Sequence, residues 1–141
     1  MATQLDRDAR IGNFASATKF MLCFNSQGTL DNETAYISFG GYEAAAEAEV
    51  NIALPFDALI RGLRANVHLA SGDVDDAVTL RVAGASTGLT CTIVDPATAA
   101  SDLTHQVYVT AGQLFCIMVV APDGTNPRTL TGSVIVEPMA G

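Results

Sequence analysis

The chain has no tryptophan, one lysine (Lys19), two histidines (His68, His105) and three cysteines (Cys23, Cys91, Cys116) in 141 residues. Each scarcity excludes a class of function. One lysine and six scattered arginines against 15 acids, for a formal net charge of −8, leave no basic patch, so no nucleic-acid partner is expected. Without Cys-x-x-Cys or paired-histidine spacing there is no zinc ligand set, and without His-x-His or His-x-Asp there is no oxygenase-type iron triad. The serines are expected to carry no hydrolase triad, so no catalytic residue, no metal and no cofactor is expected. The longest apolar run, Phe115 to Pro122, is far below the roughly twenty residues of a membrane helix, so no membrane contact is expected. The opening Met-Ala-Thr-Gln-Leu-Asp-Arg-Asp has early acids and no apolar core, which argues against a secretory leader. The cysteines are odd in number and each sits in an apolar run; all three are expected to be reduced core residues in a reducing cytoplasm.

What is abundant is alternation. From Val50 to Val136, short runs of alternating apolar and polar residues are separated by turn chemistry, the period-two signature of half-buried strands. Lys19–Phe24 and Thr34–Phe39 read as strands, and Glu43–Glu49 as a loop or single helical turn. In Gly62–Leu69, Leu63, Ala65, Val67 and Leu69 are expected to face inward, with Arg64, Asn66 and His68 outward. Val78, Leu80 and Val82 follow, then a hairpin at Ala83–Gly88, then Leu89, Cys91 and Ile93. A loop is expected over Asp95–Asp102, a strand over Leu103–Thr110 with Val107 and Val109 inward, and a corner at Ala111-Gly112. Gln113–Val120 is apolar on both phases, as a central strand covered on both sides would be. Thr129–Val136 closes the series with Leu130, Val134 and Val136 on one face. Eight or nine strands about ten residues apart, without an amphipathic helix, predict an all-β fold. The expected architecture is an antiparallel jelly-roll sandwich or barrel of about eight strands over residues 18–141, preceded by an arm over residues 1–17. Hydrophobic residues at 49% with only 16% charged also predict surface hidden against a partner or against copies of the chain.

Isolated candidates reduce to structural roles. Asp73, Asp75 and Asp76 have the oxygen chemistry of a calcium loop, but no glutamate completes it, so a solvated acidic turn is expected. His68 reads as a solvent or interface residue. His105, on the phase of Leu103, Val107 and Val109, reads as a hydrogen-bonded residue near a strand end. Asn32-Glu-Thr34 matches a glycosylation sequon, expected to be accidental.

Five segments together carry a resemblance: Leu54–Val67 (LPFDALIRGLRANV), Thr79–Gly84 (TLRVAG), Leu89–Ile93 (LTCTI), Ser101–His105 (SDLTH) and Val109–Gly112 (VTAG). They resemble the strand and turn signatures of jelly-roll proteins of tailed bacteriophages, over roughly residues 50–136. The departures are Ala83, where that pattern has Asn, and Gln113, where it often has an acid. The resemblance implies a capsid decoration, or cement, protein of the virion that binds the outer surface of the head through the major capsid protein. It would be assembled in the host cytoplasm, with a homotrimer favoured and no enzymatic activity. A tail-fibre or spike module recognising a receptor or carbohydrate is the alternative, although Tyr42 is the lone aromatic in the loops. The candidate capsid contact is the arm, with Leu5, Arg7, Arg10 and Ile11; the candidate oligomer or partner surface is Arg64, Asn66 and His68. The acidic Asp73–Asp76 turn is a second contact candidate.

Overall fold

A computed structural model describes residues 19–139. Its strands are β1 (Phe20–Asn25), β2 (Glu33–Ile37), β3 (Glu43–Ala44), β4 (Ile52–Ala53), β5 (Ala58–Val67), β6 (Asp76–Val82), β7 (Ala85–Ile93), β8 (Ala99–Val109), β9 (Leu114–Ala121) and β10 (Leu130–Pro138), with one 3-10 turn at Glu47–Glu49. All pairings are antiparallel. The first sheet has the order β1-β10-β5-β8, and the second β3-β2-β9-β6-β7 with β4 also on β9. Setting aside the two-residue strands β3 and β4, each sheet interleaves strands from the two ends of the chain. That interleaving is the double Greek key of a jelly roll, as the alternation predicts.

Between the sheets lies one core in which Ile37, Ile60, Leu63, Leu80, Leu89, Phe115, Ile117, Leu130, Val134 and Val136 are all fully buried. The Phe24, Phe39 and Phe115 rings pack edge-on or tilted with centroids 5.6–5.8 Å apart. Along β5 the inward phase switches: Ala58 and Ile60 point in, then Leu63, Ala65 and Val67. Gly62, at φ +64°, makes the switch possible, because a left-handed backbone there inserts a bulge that a side chain would oppose. Across this bulge three residues of β8, Leu103 to His105, stand opposite Gly62, since Arg61 pairs with Gln106 and Leu63 with Asp102.

The structure departs from expectation at several points, and on β8 the bulge is the reason. Strand β8 starts at Ala99 rather than after a loop ending at Asp102. Val109 is buried and Val107 packs against the core as expected, but further up the strand it is Asp102 that points inward, while Leu103 and His105 are pushed out to solvent. Leu69 lies past the end of β5 and is 44% exposed. Val82, near the hairpin, is half-buried. Cys91 and Cys116 are buried as expected, but Cys23 is exposed, because β1 is an edge strand and Cys23 takes its outward phase. The central position of β9 is as expected. Its outward Cys116 is covered by the 43–49 segment, where Glu47 binds Arg81 at 2.9 Å and the Arg81 guanidinium lies 5.8 Å from the Tyr36 ring centroid.

Candidate functional site

The outward phases of β1, β10 and β5 form rows across the first sheet: Met21, Ile135 and Arg61; Cys23, Ser133 and Arg64; Asn25, Thr131 and Asn66. Where the second and third rows meet Met21, the surface dips into a shallow groove of about 520 Å³. Gly132 supplies part of its floor with backbone alone, and the Phe24 ring fills the space beneath. Arg64 is the one charged residue of the lining. Every other arginine among the described residues has a carboxylate: Arg61 has Glu137 at 3.3 Å, Arg81 has Glu47, and Arg128 has Asp76 and Asp31. Arg64 has no carboxylate within ion-pair distance among those residues. The expected partner surface of Arg64, Asn66 and His68 is thus assembled in part. Arg64 and Asn66 share the groove, whereas His68 lies beyond the strand, its Nδ1 accepting the Thr129 N–H at 2.9 Å.

In the acidic turn at one end of the sandwich Asp73 and Asp75 are exposed, as expected of a solvated turn, and the departure is Asp76. Asp76 is 3% exposed and grips the fully buried Arg128 through two oxygens, at 2.8 and 2.5 Å. Arg128 also donates to Asp31 and to the carbonyls of Asn126 and Pro122. The hydrogen bonds that Arg128 donates to Asp76, opposed by burial, raise the guanidinium pKa further and keep it charged. Asp73 accepts from the Thr125 N–H and Asp75 from the Asp95 N–H, each carboxylate being engaged by backbone. The three acids therefore tie loops together, and no group of three or more metal-ligating side chains is assembled among the described residues.

On β8, Asp102 is 7% exposed and accepts from the Thr104, His105 and Thr90 N–H groups and from His105 Nδ1 at 2.9 Å. Burial alone would raise its pKa; the three backbone donors and the imidazole overcome this and hold the carboxyl well below the usual carboxylate range. His105 is hydrogen-bonded as expected, but from the outside of the bulge. One serine does have Gly-x-Ser-x-Gly spacing, in Gly84-Ala85-Ser86-Thr87-Gly88. It lies in the β6–β7 hairpin, not in a strand-to-helix elbow, and Ser86 Oγ accepts from Arg81 at 3.0 Å. Burial pushes the Cys116 thiol up to about 12 and Cys91 up to about 11, which leaves both unreactive as nucleophiles. Leu5, Arg7, Arg10 and Ile11 lie outside the described residues.

Met21, Cys23 and Ser133 join the groove without having been singled out from sequence. Their outward phase was available from the alternation of β1 and β10, but which strands are neighbours was not. No family model matches the chain, and no curated protein matches it.

Proposed function

We propose that the chain is a capsid decoration protein that docks on the outside of a phage head and stabilises junctions between subunits of the major capsid protein. The supporting observations are the sequence resemblance over residues 50–136 and the jelly-roll strand order. The single observation that carries the reading furthest is the strand order, β1-β10-β5-β8 facing β2-β9-β6-β7, a jelly roll being the fold that the resemblance implies. Binding only the assembled shell stabilises that shell by mass action. The assembly would be a homo-oligomer, with a trimer favoured, added to the virion in the host cytoplasm.

Sedimentation with purified expanded heads tests this. The full chain is expected to co-pellet to saturation, and a chain lacking residues 1–17 to remain in the supernatant. Binding by the truncated chain would remove the arm from the contact; failure of the full chain to bind would overturn the function. The competing receptor- or sugar-binding module has in its favour Tyr42, 50% exposed between β2 and β3. A glycan array decides it, since only that reading expects a specific sugar.

A further inference from the structure

We infer that the groove beside Arg64 is a head-to-tail contact that receives a carboxylate from a second copy of this chain. Three features of the surface lead there. The chain carries 15 acids against seven bases, so two copies repel over most of their surface. The groove is the exception: among the described residues no acid lines it, and its one charge is an arginine left without a carboxylate. Around Arg64, Asn66 and Ser133 supply polar groups, while Met21, 62% exposed, and Cys23 supply soft apolar surface, the composition of a protein contact.

The same charge pattern decides the symmetry. A twofold contact centred on this groove would set Arg64 near Arg64 with no acid among the described lining residues between them, so groove-on-groove matching is disfavoured. The groove instead meets a different, acid-bearing face of the next copy, and such a heterologous contact closes into a ring or runs on as a filament. Candidate acids are numerous, since Glu33, Glu49 and Asp123 are exposed and have no basic partner among the described residues.

The inference stands apart from the head-binding reading: a chain that assembles but ignores heads would leave it intact, and a monomer that binds heads would overturn it alone. Sedimentation velocity over a concentration series from about 1 µM to about 1 mM is the test. The wild-type chain is expected to form a species larger than a dimer, Arg64→Lys to retain it, and Arg64→Glu to shift the association midpoint upward at least tenfold. The Arg64 side chain is exposed and makes no hydrogen bond among the described residues, so an unchanged melting temperature checks that Arg64→Glu folds. A second readout uses Cys23, whose alkylation by a maleimide is expected to slow severalfold as wild-type concentration rises, but not in Arg64→Glu. A wild-type chain that stays monomeric, a wild-type species no larger than a dimer, or an assembly indifferent to Arg64→Glu, would overturn the inference.

Discussion

Gly132 has no room for a side chain: a Cβ there would overlap the Phe24 ring and the Arg64 carbonyl oxygen. Gly132→Ala is therefore expected to lower stability by about 3 kcal/mol, as overpacking against a rigid ring and backbone does, measured by urea unfolding. Ala83 is the opposite case. It sits at φ +52° followed by Gly84 at φ +79°, the conformation of a two-residue hairpin turn that asparagine adopts at lower cost than alanine. Ala83→Asn should raise stability by about 0.5–1 kcal/mol, visible as a higher melting temperature. Here the residue in which the chain departs from the phage pattern is the one whose backbone favours that pattern.

At the scale of elements, the strands were legible and their irregularities were not. Alternation located β6, β7, β10 and the half of β5 after Gly62, because each keeps one phase on the core, and β9 showed itself as a run apolar on both phases. It failed on β8, where Leu103 and His105 follow the inward period of Val107 and Val109 until the bulge opposite Gly62 shifts them outward. The signal for that bulge is Asp102, a carboxylate turned inward because three backbone N–H groups await it, and a pattern of apolar residues does not register such a group. The consequence is a specific pH dependence. Since the folded-state pKa of Asp102 lies below its unfolded value, its contribution is present at neutral pH and is lost as the pH falls below about 4 toward the folded value. Asp102→Asn is expected to cost about 1–3 kcal/mol at pH 7 and progressively less toward pH 3. Parallel thermal melts of the two chains check this, and a penalty independent of pH would contradict it.

Arg128 was hidden for another reason. In sequence it is one arginine in a Pro- and Gly-containing connection; only the fold brings it against Asp76 and Asp31 from distant segments. Removing one partner strands a buried charge, so Arg128→Met should destabilise by about 3–5 kcal/mol, while adding Asp76→Asn should restore a large part of that. A double-mutant cycle in denaturant measures the coupling, and additive penalties would show that the two side chains act independently.

For the whole molecule, the fold class follows from composition and period, whereas the candidate surface depends on strand adjacency that no local pattern encodes. Arg64 and Asn66 are visible as outward residues of one strand; Met21, Cys23 and Ser133 reach them only because β10, from the far end of the chain, lies between β1 and β5. The central claim is that this sandwich works by covering protein surface on a phage head. Electron cryomicroscopy of purified heads incubated with the chain tests it most directly. The account predicts ordered two-sheet density at repeated positions over junctions of the shell; bare heads at saturating chain, or density confined to the tail tip, would contradict it.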